Sequence, residues 1–475
     1  MMLGYTNAGF VHMMAHHHLH GLCNTLRQHC DDRGGVVVIA QFEQLGNTVA
    51  TLWEKAGSTP DSFAEIATTA LANSRVLTII EPKDIVTWLI NGNNVPGQNA
   101  SDFGQPPVNV YVGNGFYIQV LFWLDSTTAI HEHAFSGAFG VLAGSSVQST
   151  YTFDTQQVAS DRLIVGHTRF VTSELLYRGD VRSIYSGDKL IHSLFHLERP
   201  SLSVVVRTST KADEKRPQYA YLRPYLAFDD LNPPRLQSIQ LRMLESLFQT
   251  DRTAFWESAG QIVGSCEPFM LSQVLAMAYQ ASDAENWNTL LGKIGGRNKE
   301  LIKYIVPCLT ENSRIHRIVG LRSSVHDSTH RFFLALLLNV PAREEIYRLI
   351  STRYPSDDPQ ALCLKWLGEI FSEQRMGIKL TLPLLFIIER LLLNPDFESS
   401  RTELKKHFQT EDDEEISRLQ PVWRQLYSLD VLQPLFTTYA TLSNDPCLAW
   451  KPWTLAQASG FSSPNEKQPL CQLSQ

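Results

Sequence analysis

The chain has 475 residues, too many for one hydrophobic core, so two or three domains are expected. Hydrophobic residues make up 43% and charged residues 19%, the balance of a soluble globular protein. A net charge of −7, with basic residues scattered and KADEKR (211–216) and LKK (404–406) too short and mixed to form a patch, excludes nucleic acid as the main partner.

No run of about 18 uninterrupted apolar residues occurs, which argues against a spanning helix, and no membrane partner is expected. The nearest, LTLPLLFIIERLLL (380–393), is broken by Pro383 and Glu389-Arg390 and reads as a buried helix. The seven cysteines (23, 30, 266, 308, 363, 447 and 471) form no CxxC pair, so a disulfide framework or zinc ribbon is not expected. That pattern suits a reducing compartment, and the expected location is the cytoplasm. The start, MMLGYTNAGFVHMMAHHHLHGLC, lacks the basic head and clean apolar core of a secretory signal. Its His16, His17, His18 and His20 could bind metal opportunistically, but the stretch reads rather as a frayed leader or a misassigned start codon.

Residues 36–95 read as helical. VVVIAQFEQLGNTVATLWEKAG stops at a glycine, Ser58-Thr59-Pro60 can start a helix carrying Phe63, Ile66 and Leu71, and EPKDIVTWLING runs to Asn91-Gly92. The Asn-, Gly- and Pro-rich loop 93–107 leads into the next domain. From Val108 to about Thr208 the pattern changes to short runs of β-branched and aromatic residues. Strands are expected at 108–112, 116–124, 138–143, 147–153, 162–166, 169–177, 180–185, 190–197 and 202–208. Strands at this spacing imply a sandwich or barrel, and a hundred residues suit one jelly roll. Residues 209–234 form a second junction in which YAYLRPYLAF can add an edge strand or a strap.

From Leu236 the period is helical. Asp358-Pro359 starts a helix with Leu362, Trp366, Leu367 and Ile370 on one face; Asn339 precedes Pro341 and REEIYRLI. Ser400–Glu403 reads as a capping box, and Thr410 begins EDDEEI. No repeat of fixed period is visible. The expected fold class is therefore α+β multidomain: a mainly helical region (1–100) packing on a β-barrel (101–234), then an all-helical domain (235–475).

The chemistry is concentrated in FYIQVLFWLDSTTAIHEHAFSGAFGVLAGSSVQSTYTF (116–153). It reads as two strands, a short loop carrying His131-Glu132-His133, and two more strands around the turn at Gly144. Side chains two apart on a strand point the same way, so His131 and His133 share a face and Glu132 turns to the other. Two imidazoles are half a metal site; His192, in DKLIHSLFHLERPSLSVVVR, is the candidate third ligand. Neutral imidazoles suit divalent first-row metals, and three of them leave positions free for oxygen and substrate. His196, four residues on along the same strand, is a third or added ligand or, as preferred here, a donor orienting His192. Glu132 and Glu198 read as surface or supporting groups, and His167 as a turn residue.

These residues resemble the cupin superfamily, whose first motif has HxH, a glutamate and a glycine, and whose second has a histidine followed four residues later by asparagine. His131, His133 and Gly144 fit the first, with Gly137 where the glutamate belongs; His192 fits the second, with His196 in place of asparagine. Loss of the acidic ligand points to the three-histidine branch. Within it, Trp123, His131, His133 and Ser136 match the cysteine dioxygenase type of thiol dioxygenase, over roughly residues 40–208. Ala138 stands where some members carry a crosslinking cysteine, Arg207 where the family has an active-site tyrosine, and Val205 where that tyrosine has a supporting histidine. No arginine precedes Phe116 at the carboxylate-clamp position, so free cysteine is not the expected substrate.

The resemblance implies a double-stranded β-helix, iron(II) or another divalent first-row metal on His131, His133 and His192, and dioxygen with a small-molecule substrate. Arg207 and His196 are the catalytic candidates, Arg207 for an anionic substrate group; Tyr117, Gln119, Trp123, Phe135 and Gln148 are the pocket candidates. Two alternatives stand beside a dioxygenase: a metal-dependent isomerase or lyase, and a non-enzymatic cupin ligand-binding module whose helical half docks a protein partner.

Overall fold

The computed structural model of the protein describes residues 33–92, 95–98, 103–125, 127–210, 213, 216–229 and 234–444. The histidine-rich start, most of KADEKR and Cys23, Cys30, Cys447 and Cys471 lie outside them. The chain divides into two compact units. The first comprises the chain up to Gly166, Glu174–Tyr221 and Ala227–Leu301; the second comprises His167–Ser173, Leu222–Leu226 and the chain from Ile302 onward.

In the first unit, helices α1 (Arg33–Lys55), α2 (Pro60–Asn73), α3 (Val76–Ile79) and α4 (Pro82–Asn91) precede the strands. Helix α1 buries Phe42, Leu45, Val49 and Trp53, an i, i+3, i+7, i+11 stripe. Pro60 and Pro82 occupy first-turn positions, where a missing N–H costs nothing, and Glu81 with Asp84 closes a reciprocal capping box on α4. The apolar faces of these helices meet one side of a five-stranded antiparallel sheet. Its strands are β1 (Pro107–Val112), β2 (Phe116–Trp123), β4 (Gly137–Ala143), β7 (Val181–Ile184) and β9 (Ser201–Thr208), in the order β1-β2-β9-β4-β7.

Strand periodicity assigns the two faces of this sheet. Phe116, Ile118, Val120 and Phe122 of β2, with Leu202, Val204 and Val206 of β9, join the core under the helices. Their neighbours Leu121, Trp123 and Val205 join a second core with Phe135, Phe139 and Leu194. Both faces are thus buried, each large apolar side chain contributing roughly 1.5–3 kcal/mol. Opposite lies a closed sheet of β3 (Ile130–His133), β5 (Ser145–Ser160), β6 (Leu163–Tyr177), β8 (Gly187–His196), β10 (Ala220–Leu222) and β11 (Leu226–Phe228), in the order β10-β11-β6-β5-β8-β3. The fold is a β-rich body with a closed barrel and many helices.

Two local expectations are corrected. His131-Glu132-His133 is a short strand, not a loop, because β8 on one side and β10 on the other supply its ladder partners. Strands 162–166 and 169–177 are one strand, so His167 lies within β6 rather than in a turn; its ring stands 5.3 Å from that of Tyr225. YAYLRPYLAF contributes the short strands β10 and β11.

Among the described residues, the second unit is helical from Ile302 onward. Asp358 caps helix Pro359–Ile370 by accepting from the N–H groups of Gln360 and Ala361, and Cys363, Trp366, Leu367 and Ile370 are buried, with Leu362 half-buried. Ser400 forms no capping bond, because a 3-10 turn, Glu398–Ser400, already leads into helix Arg401–Phe408. At EDDEEI the cap is Asp412, not Thr410; the Thr410 hydroxyl donates instead to Glu415. LPLLFIIERLLL is an amphipathic helix with Leu384, Ile387, Ile388, Leu391 and Leu392 buried. No helix among the described residues is long and apolar enough to cross a membrane.

Candidate metal centre

The interior between the two sheets holds the histidines. His131 on β3 is paired directly with His192 on β8, and the register shifts between His131 and His133. The i, i+2 spacing still brings both β3 imidazoles to the inner face. The three rings lie 4.7 Å (His131–His133), 4.8 Å (His131–His192) and 5.1 Å (His133–His192) apart. One ring nitrogen from each lies within 4.8 Å of the others, and all three residues are buried.

Hydrogen bonds assign the nitrogens. His131 Nδ1 lies 2.8 Å from the Ala129 carbonyl oxygen, which can only accept, so Nδ1 carries the proton and the Nε2 lone pair is free. That Nε2 is buried with no hydrogen-bond partner. His133 Nε2 and His192 Nε2 are 2.9 Å apart. Two nitrogens each about 2.05 Å from one ion, at a right angle, would stand about 2.9 Å apart, so this spacing fits a shared metal. Burial holds all three imidazoles below their ordinary pKa, His133 and His192 well below. Neighbouring histidines add to the depression at His133 and His192, while the Ala129 bond partly opposes it at His131. Neutral imidazole is the form that ligates. The donor set fits a divalent first-row metal.

No carboxylate can complete the set at the position of the missing glutamate. A Cβ on Gly137 would lie 2.1 Å from the Val206 carbonyl oxygen, because β4 and β9 pair closely there. Ala138 is fully buried in the core under the helices, on the side away from the histidines. Glu132 turns outward as expected but is buried, not a surface group. It accepts a 2.6 Å hydrogen bond from the Tyr221 hydroxyl, and burial raises its carboxyl pKa. Glu198 accepts from the Ser145 amide and hydroxyl and braces the β4–β5 turn.

Arg207 lies inside. Its register on β9, opposite Tyr117 and Gly137, gives it the face of Val205, and its guanidinium sits 3.5 Å over the Phe135 ring and 5.3 Å from that of Tyr117. Its Nε is enclosed without a partner, and burial lowers its pKa. Its charge in turn depresses His133, whose ring lies 4.7 Å from Phe135. Sequence periodicity on β9 could have shown the inward aim of Arg207, but not its stacking on Phe135.

His196 is held elsewhere. Four residues of strand place it about 13 Å from His192. Its Nδ1 lies 2.9 Å from the Ser146 hydroxyl, and its ring stacks 4.7 Å from that of Trp123, whose Nε1 donates to Ser203. It therefore belongs to the Trp123 end of the interior. Gln119 donates to Asn109, a partner the sequence did not flag. Gln148 is buried on β5 opposite Leu194, and its Oε1 has no hydrogen-bond partner. Phe139, 6.0 Å from the His192 ring, and Tyr221 also went unremarked; the alternating aromatics of 219–225 were the available signal for Tyr221.

No family model and no curated protein matches this chain. Solved structures that match include one from work on the mechanism of oxalate oxidase, at 15% identity, covering 30% of this chain with a TM-score of 0.17. The match spans 63% of the oxalate oxidase chain. A second comes from crystal structures of the DMSP lyases RdDddP and RnDddQII, at 10% identity, covering 37% of this chain and 94% of that one, with a TM-score of 0.21. Scores of this size carry no weight for fold or reaction. The site rests on its own three nitrogens.

Proposed function

We propose that this protein is a non-haem iron(II) oxygenase of the three-histidine cupin type, with iron held by His131, His133 and His192. The observation that carries this reading is the pair of Nε2 atoms 2.9 Å apart beside the unpartnered Nε2 of His131, all three residues buried. Iron, when bound, would align dioxygen and substrate and ease electron transfer between them. The chain's own residues do the rest. Arg207 pairs with an anionic substrate group through a permanently charged fork of donors, and Phe135 fixes the plane of that fork. Phe139, Leu194 and Val205 exclude water, which strengthens the pairing. The anion partner stands on β9 rather than ahead of Phe116, so the carboxylate is held from a different wall than in the cysteine dioxygenase type, which favours a small organic acid other than free cysteine.

The test is metal analysis of untagged protein beside His131→Ala and His192→Ala, with oxygen uptake measured on candidate thiols and organic acids. Stoichiometric iron in the wild type alone, with uptake on an acid, is expected. Metal retained equally by both variants would end the assignment. Metal bound by the wild type without oxygen uptake on any candidate would favour an isomerase or lyase.

A further inference from the structure

Gln148 is a buried side chain on β5, one diagonal step from the histidine cluster. On β5, Thr150 is opposite His192, Gln148 is opposite Leu194 and Ser146 is opposite His196. Ser146 bonds the inward-facing His196, and Leu194 belongs to the inner core, so Gln148 faces the same interior as the histidines. It is the diagonal neighbour of His192, a separation of about 7–8 Å between α-carbons that long side chains bridge. Gln148 is 3% exposed and its Oε1 is enclosed without a partner. Leaving a buried amide oxygen unmet costs about 1–3 kcal/mol, so a group that meets it on binding recovers that cost. Arg207, across the interior beside His133, has an enclosed and unpartnered Nε. Two unmet groups of complementary kind, a cation on one sheet and an amide on the other, thus flank the histidine cluster.

We propose that the site reads a small carboxylic acid bearing a hydroxyl group, with the carboxylate on Arg207 and the hydroxyl on Gln148. This deepens the oxygenase reading and rests on it for the reaction, though not for the binding. A simple carboxylate fills only the Arg207 half and leaves Gln148 buried and unmet. Discrimination by a buried polar partner is stronger than any that apolar walls provide.

The experiment is calorimetric titration of the full-length protein with two matched pairs, lactate against propanoate and mandelate against phenylacetate. It is run as purified and again loaded with iron(II) without oxygen. In each pair that binds, the hydroxy acid is expected to bind about tenfold tighter than its partner. Gln148→Met and Gln148→Leu, both apolar and similar in size, bring the ratio below about twofold, with thermal melting confirming that each variant folds. Arg207→Leu weakens both members of a pair alike. No binding of any of the four acids, equal binding within each pair, or a ratio that survives both Gln148 variants overturns the proposal. Failure of the oxygenase reading shows separately: no oxygen uptake, or iron that ignores the histidine variants, leaves the titration ratio as it is.

Discussion

His133 and His192 face each other with their Nε2 atoms 2.9 Å apart, although 59 residues separate them in the chain. Both are buried, and neither nitrogen can reach bulk water. Such a pair either shares one proton or gives both lone pairs to a single cation. His131, with Nδ1 committed to Ala129, supplies the third lone pair. Removing any one of the three is expected to lower metal affinity by more than the roughly 10–100-fold typical of lost supporting partners. Metal content after exhaustive dialysis measures this; an unchanged stoichiometry in His133→Ala would refute it.

The depressed imidazole pKa values set the response to acid. In the unfolded chain these histidines titrate near the ordinary imidazole value of about 6.5, while in the fold burial lowers their pKa. Below about pH 6.5 the unfolded state therefore binds more protons, and the stability of the metal-free protein falls as pH drops towards the folded pKa values. Each histidine adds up to about 1.4 kcal/mol per pH unit to that slope. Chemical denaturation between pH 7 and pH 5 should give a shallower slope for a His133→Gln, His192→Gln double variant than for the wild type. Parallel slopes would show that these groups do not carry the acid sensitivity.

Arg207 should matter to ligand and little to metal. Arg207→Lys keeps the charge but loses the planar fork and its stacking on Phe135, so binding of an acid weakens by about tenfold or more while metal content holds. Equal acid binding by wild type and variant, read by calorimetry, would remove Arg207 from the site.

Glu132 and Tyr221 form a buried donor–acceptor pair on the back of β3. Tyr221→Phe leaves the carboxyl without its side-chain donor, at an expected cost of about 1–3 kcal/mol by urea denaturation. Because the pair braces the strand that carries two of the three histidines, metal affinity should fall with it. A variant as stable as the wild type would mean that the hydroxyl contributes nothing.

Gly137 admits no side chain while β4 and β9 stay paired, since a Cβ would reach 2.1 Å from the Val206 carbonyl oxygen. Gly137→Ala should cost about 1–3 kcal/mol by overpacking against backbone that cannot yield. Restoring a fourth, acidic ligand as Gly137→Glu should give misfolded protein rather than tighter metal binding. A folded, metal-rich Gly137→Glu would contradict the strand register.

Local periodicity made much of this legible along the chain. An i, i+2 spacing alone puts His131 and His133 on one face and Glu132 on the other. The alternation in FYIQVLFW separates Phe116, Ile118, Val120 and Phe122 from Leu121 and Trp123, and a proline after Asp358 marks a helix start. Each of these depends on the geometry of a few consecutive residues. What could not be read depends on partners far apart in sequence. That β3 is a strand at all follows from β8 and β10 lending it hydrogen bonds. Whether His196 reaches the cluster follows from the rise of β8 and from Trp123, 73 residues earlier, stacking on its ring. The emptiness of Gly137 follows from how closely β9 approaches. Register between distant strands, and the side-chain orientations it selects, are collective results of packing two sheets and a helical layer together, and no short window of sequence encodes them.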